Sequence, residues 1–237
     1  MHSTEHQTRI DTALRSVASL AEPIRRRLYR YVVTQGEPVS REQAAEGVGV
    51  AHHVAKFHLD RLEADGLLDV DYRRPGGRTG PGAGRPTKYY RQAARDIAVS
   101  LPERHYDLAG RIMAEAITTA AESSTPLRDA LQRAAVSNGT RLGNDAALRA
   151  GRRPSRAAVT GAICEVLDSF GYRPKESATC ITLENCPFHS LARDYTQLVC
   201  GINLDLIHGL LSAVDTKAWQ ANLDPAPDRC CVTITRT

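Results

Sequence analysis

The sequence predicts an α+β fold, mostly α, divided into domains at residues 1–95 and 96–237. Three observations support this. Apolar residues recur at helical spacing along most of the chain, and short alternating stretches interrupt them late in each half. Residues 73–95 carry seven Lys or Arg and no Asp or Glu. All six cysteines lie after residue 163, so the two halves differ in chemistry. At 237 residues the chain is long enough for a substantial core. Its 42% hydrophobic and 24% charged content is ordinary for a soluble globular protein. A net charge of +4 excludes a polybasic chain as a whole, so the placement of charge matters more than its sum.

In the first half, Ile10, Leu14 and Val17 mark a first helix. Pro23 suits the first turn of a second, which carries Ile24, Leu28, Tyr31 and Val32 on one side and Arg25, Arg26, Arg27 and Arg30 around the others. Ser40 and Gln43 form a capping box for a short helix to about Glu46, with Gly47 as the expected left-handed turn residue. A further helix is expected from Ala51 to Ala64, ending at Gly66, with Ala55, Leu59 and Leu62 as its apolar stripe. Residues 67–72 read as a strand and 87–90 as its return. Between them, Arg73 to Pro86 holds five glycines, three prolines and four arginines. Helix, turn, helix, strand, basic loop and strand is the order of a winged helix-turn-helix. In that fold the second helix enters the major groove and the wing follows the backbone. The expected DNA contacts are His52, His53 and Lys56 on the helix and Arg73, Arg74, Arg78, Arg85 and Lys88 at the wing. Arg85, in Gly84-Arg85-Pro86, is the candidate for minor-groove insertion.

The segments LAEPIRRRLYRYV, HLDRLEADGLL and GRPTKYY resemble winged-helix regulators of the arsenical-repressor type over residues 15–95. The resemblance implies sequence-specific binding to a double-stranded operator by a homodimer. Such regulators cap the recognition helix with Ser or Thr, whereas this chain has Ala51, at a cost of about 1 kcal/mol in capping.

In the second half, Leu108, Ile112, Ala116 and Ala120 mark a helix over about 104–122, which is also a candidate dimer contact. Thr125 as N-cap and Pro126 in the first turn would start another helix, running to Val136 and past Gly139 and Gly143. Val159, Ile163, Leu167 and Phe170 define a third, closed by Gly171. Residues 178–184 alternate as a strand, 196–214 form a helix, and 230–236 alternate again.

Strand alternation sends Ile181, Leu183 and Cys230 inward and Cys180 and Cys231 outward. Cys164 reads as plain core. Cys186, Cys200 and Cys230 remain as a possible thiolate cluster, with His189 the nearest extra ligand. Thiolates with imidazole suit zinc, and three thiolates with an odd fourth ligand suit an iron–sulfur cluster. The spacings of 13 and 29 residues contain no CxxC pair, and buried, unligated cysteines are the competing reading. The run from ENCPFHSLARDYTQLVCGINLDLIHGLL to DRCCVTI resembles the sensor half of Suf-operon repressors, over about residues 155–235. The resemblance implies an iron–sulfur cluster on Cys186, Cys200 and Cys230 or Cys231 that controls DNA binding. Those repressors carry a further cysteine before the last strand, where this chain has Asn222-Leu223-Asp224-Pro225.

These readings predict a transcriptional regulator that senses cluster, redox or nitric oxide status. Zinc or a small organic effector is the alternative input. No enzyme is expected, because Cys186 and His189 stand across a proline turn that does not set the geometry of a nucleophile and its base. With a polar N-terminus and no apolar run of about 18 residues, a cytoplasmic protein without a membrane span is expected.

Overall fold

A computed structural model describes residues 2–73, 86–214 and 218–237. The chain is α+β and mostly α. It forms two compact units that divide between Val99 and Ser100, where the sequence reading placed the boundary at 95/96.

The first unit comprises α1 (His2–Ser19), α2 (Pro23–Thr34), β1 (Val39–Ser40), α3 (Arg41–Val48), α4 (His52–Ala64), β2 (Leu68–Arg73) and β3 (Thr87–Gln92). The strands pair antiparallel in the order β1-β3-β2. Leu28 and Val32 of α2, Ala44 and Val48 of α3, and Ala55, Leu59 and Leu62 of α4 meet Leu68 and Tyr90 of the sheet in one core. Each buried leucine contributes roughly 1.5–3 kcal/mol, which fixes the angles between these short helices.

The capping box at Ser40 and Gln43 forms as expected. The left-handed residue does not fall where the sequence placed it. α3 continues through Gly47 to Val48, and Gly49 adopts φ 69°. The amide of Gly49 donates to Glu46 (3.1 Å) and that of Val50 to Ala45 (3.0 Å), which is a Schellman closure. Gly47 is needed for a different reason, since a Cβ there would strike the ring of Tyr31. α4 closes the same way at Gly66, φ 69°, with Leu67 donating to Leu62 (2.9 Å).

The second unit comprises α5 (Tyr106–Glu122), α6 (Leu127–Ala150), α7 (Arg156–Ser169), β4 (Pro174–Glu176), β5 (Cys180–Leu183), α8 (His189–Asp194), α9 (Thr196–Ala213), β6 (Trp219–Leu223) and β7 (Val232–Arg236). Its antiparallel sheet runs β4-β5-β7-β6. Ile112, Ile163, Leu167, Ile181, Leu183, Ile207 and Ile234 form the centre of its core. α6 does continue past Gly139 and Gly143, but it starts one residue later than expected. Pro126 occupies the N-cap, and no side chain caps the helix. Thr125 is therefore not the cap: Pro126 at ψ 137° is still extended, and the first helical residue is Leu127. Two strands, β4 and β6, and the short α8 were not expected.

Candidate functional site

The first candidate surface is the outward side of α4 together with the β2–β3 hairpin. The Schellman turn at Gly49 aims α4 away from α3, and its apolar stripe turns Ala55, Leu59 and Leu62 into the core. His52, His53, Lys56 and Phe57 are left exposed. His52 lies 3.1 Å from Glu42 of α3. No ion pair holds Lys56 among the described residues. Ala51 at the N-cap makes no side-chain hydrogen bond to the first turn. The N-terminal end of α4 thus presents backbone N–H groups that face no side-chain acceptor, and such groups suit phosphate.

Beneath this surface lies a network of charges. Asp60 of α4 accepts hydrogen bonds from Tyr90 Oη (2.6 Å), Arg41 Nη2 (2.9 Å) and Lys88 Nζ (3.0 Å). Lys88 also pairs with Glu63, and Arg41 Nε donates to Tyr90 Oη at 2.9 Å. Burial pushes the Asp60 carboxyl up, but the bonds from Tyr90, Lys88 and Arg41 outweigh it and hold it below its ordinary value. Burial and the bond to Asp60 push the Tyr90 phenol up to about 12. Lys88, expected at the DNA interface, is committed here. Its side chain is 14% exposed and anchored to two carboxylates of α4, so it fixes the base of the hairpin and is not available to a phosphate. Arg73 is half-exposed at the end of β2, 3.6 Å from Asp71 and over the ring of Tyr89. Arg74, Arg78 and Arg85 lie outside the described residues.

The second candidate site is in the C-terminal unit, where β5 leads into α8, α9 passes, and the chain enters β7. Cys186, Cys200 and Cys230 are buried there. The thiols of Cys186 and Cys230, of Cys230 and Cys231, and of Cys231 and Cys200 lie close enough to influence one another's ionisation. Two sequence expectations need correction. Cys231 does not point away from the other thiols, because β7 begins only at Val232. Strand alternation therefore does not govern Cys231. His189 is exposed on the first turn of α8, outside this chain of thiols. Its backbone N–H bonds to the Cys186 carbonyl (3.1 Å), and the turn so formed leaves the imidazole in solvent.

Three further residues pack around the thiols. Tyr172 Oη donates to Asn203 Oδ1 (2.5 Å), and Asn203 Nδ2 donates to Cys230 Sγ (3.0 Å). Arg104 bonds to the Asn185 side chain and to the Cys186 carbonyl (3.0 Å). The neighbouring Cys230 thiol, together with burial, pushes the Cys186 thiol far up, although the charge of Arg104 draws it down. The neighbouring Cys186 thiol lowers Cys230, but Cys231 and burial prevail and push it up to about 12. Burial raises Cys200. As packed, burial favours the uncharged thiol at Cys186, Cys200 and Cys230. Among the described residues, no three His, Cys, Asp or Glu side chains are arranged to hold a metal ion. The donor set nevertheless suits a thiophilic metal in kind. Four sulfurs lie near one another, one of them also accepting an amide N–H, and a bound cation is what holds buried cysteines as thiolates. Sequence reasoning missed Tyr172, Arg104 and Asn203. Their signal was weak, because polar residues at otherwise apolar positions are visible only once the fold shows what they face.

Comparison with known proteins bears on the first of these sites. A family model described as a helix-turn-helix domain matches residues 20–71. That span runs from the end of α1 through β2 and takes in both helices of the motif. The first unit is a helix-turn-helix domain. It marks the chain as a DNA-binding transcriptional regulator, and the β2–β3 hairpin supplies the position of a wing. No curated protein matches the chain, and no solved structure does. No helix among the described residues is long and apolar enough to cross a membrane.

Proposed function

We propose that this regulator binds a double-stranded operator as a homodimer, and that chemistry at the buried thiols of its C-terminal unit controls the binding. The observation that carries the second part is that Cys186, Cys200 and Cys230 are buried together with Cys231 beside them, and that Asn203 donates to Cys230 Sγ at 3.0 Å. Four cysteine sulfurs suit either an iron–sulfur cluster or zinc; the resemblance to Suf-operon repressors makes the cluster our first reading and zinc the alternative. Cys186, Cys200 and Cys230 would hold it, with Cys231 in place of His189 as the fourth donor. Such a group supplies the positive charge and the sulfur or metal bonds that keep thiols deprotonated at neutral pH. Asn203 would orient Cys230 and temper its basicity, and Tyr172 would hold Asn203 in place. Arg104 would balance the negative charge of the thiolates. Cysteine placement of this kind couples sensing to binding when ligation favours one arrangement of the DNA-reading heads.

Protein purified without oxygen is expected to contain iron and acid-labile sulfide and to absorb in the visible. Cys186→Ser and Cys231→Ser should each lower the metal content severalfold, whereas His189→Ala should leave it unchanged. Zinc without sulfide would select the alternative. A metal-free, colourless protein after both anaerobic preparation and reconstitution would end the metal reading.

The DNA surface has its own test. Lys56→Ala is expected to weaken binding to duplexes of any sequence. It should also reduce the slope of log affinity against log salt by about one, the contribution of a single released counterion. An unchanged slope would remove Lys56 from the phosphate contacts.

A further inference from the structure

We infer that Phe57 reads a thymine methyl group in the major groove, an inference that rests on the DNA-binding role of α4. Phe57 is 68% exposed, although it sits in the middle of a helix with a well-buried stripe. At 3.6 residues per turn it falls nearly opposite Ala55, Leu59 and Leu62. Its ring contact among the described residues is edge-on to His58, at 5.1 Å between centroids. The ring therefore contributes little to the core of its own unit. It stands beside Lys56 and one turn beyond His53, and both are exposed on the same outward side. The carboxylates that follow on α4, Asp60 and Glu63, are tied to Arg41 and Lys88. The outward side of α4 thus offers cations and imidazoles for phosphates and base acceptors, with one apolar ring among them.

A phenyl ring has no donor or acceptor with which to tell base edges apart. The apolar feature of the major groove is the C5-methyl group of thymine, and an apolar side chain is the group that recognises it. The recognition helix of such a domain meets base edges with its N-terminal residues, and Phe57 lies within the second turn of α4. Exposed single apolar residues are common on protein surfaces. This one is set apart because it stands on the side that the fold turns toward DNA.

The test uses the full chain and separates this inference from the reading beneath it. Duplexes that bind wild-type protein are first selected from a random-sequence library. In a selected duplex, each thymine is then replaced in turn by deoxyuridine, which removes the methyl group and nothing else. At one thymine per half-site, wild-type affinity should fall about fourfold, the effect of burying one methyl-sized group. Phe57→Ala should bind the unmodified duplex more weakly by a similar factor and lose nothing further at that position. Phe57→Leu, which keeps an apolar side chain and serves if the alanine variant fails to fold, should retain part of the uracil penalty. Equal uracil penalties in wild type and both variants, at every position, would overturn the inference while leaving DNA binding intact. Failure of the wild-type chain to enrich any duplex would overturn the DNA-binding reading itself, and the inference with it.

Discussion

Gly139→Ala is expected to destabilise the C-terminal unit by about 3 kcal/mol and to lower its melting temperature by about 10 °C. A Cβ at Gly139 would fall on the carbonyl oxygen of Leu206, well inside van der Waals contact. The contact is reciprocal. A Cβ at Gly209 of α9 would strike the Val136 carbonyl of α6, and one at Gly143 would strike the Leu210 carbonyl. The obstructing atoms are backbone, so no rotamer change relieves the clash, and the two helices would have to move apart. Helix propensity acts in the opposite direction, since alanine is favoured over glycine inside a helix by about 1 kcal/mol, and here steric exclusion outweighs it. Gly110 of α5 and Gly161 of α7 provide the control. Both lie inside helices with open space where a Cβ would go, so Gly110→Ala and Gly161→Ala should gain up to about 1 kcal/mol. The single tryptophan, Trp219 in β6, reports this unit alone by its fluorescence. An unchanged or raised transition for Gly139→Ala would contradict the close crossing of α6 and α9. The crossing also bears on the thiols. Cys200 and Asn203 lie on α9 within two turns of Leu206, so a shift of that helix should also expose thiols to alkylation.

The parts legible in the sequence were those written in periodicity and capping. Ser40 and Gln43, the stripe of Ala55, Leu59 and Leu62, and the return strand after the basic loop each depend on local spacing, and each is where it was expected. What was not legible depended on distant partners. The sequence reads Gly47 as the turn residue, but α3 runs on through Val48 and Gly49 takes the left-handed conformation, while Gly47 is kept small by the ring of Tyr31. Lys88 lies in a basic segment and reads as a DNA contact until Asp60 and Glu63, 28 and 25 residues away in sequence, are seen to hold it. Cys231 was assigned to the outer face by an alternation that starts one residue later. The sequence reading passes over Phe57, because a residue off the apolar stripe acquires meaning only once the rest of the helix is known to be covered. The carboxylates of α4 illustrate the same limit. By charge they argue against a DNA-facing helix, and by geometry they hold the wing.

That geometry makes Asp60→Asn the most informative change in the N-terminal unit. The carboxylate joins α4 to α3 through Arg41 and to β3 through Lys88 and Tyr90. Hydrogen bonds to a charged group contribute about 1.5–3 kcal/mol each. The Asp60 side chain is 36% exposed, so solvent screening reduces that sum, and a loss of about 2 kcal/mol is expected at pH 7. The dependence on pH has a definite sign. Asp60 has a lower pKa folded than unfolded, so its contribution is complete above the unfolded value, near 4, and disappears as the pH falls through the folded value. The stability gap between wild type and Asp60→Asn should therefore be widest near neutrality and narrow below about pH 4. Far-UV circular dichroism of the full chain during urea unfolding, read beside the Trp219 signal, would measure it. A gap that stays constant down to pH 2 would mean that the charge is not what matters. DNA binding should separate two effects of the same substitution. Loss of one negative charge near the groove favours any duplex, so nonspecific affinity should hold or rise. Loss of the tether between α4 and the hairpin removes the fixed angle between reading helix and wing. The preference for a selected duplex over a random one should therefore drop about tenfold, the equivalent of 1.4 kcal/mol. If selectivity survives while stability falls, the network serves the fold alone, and the wing takes its position from the DNA instead of from Asp60.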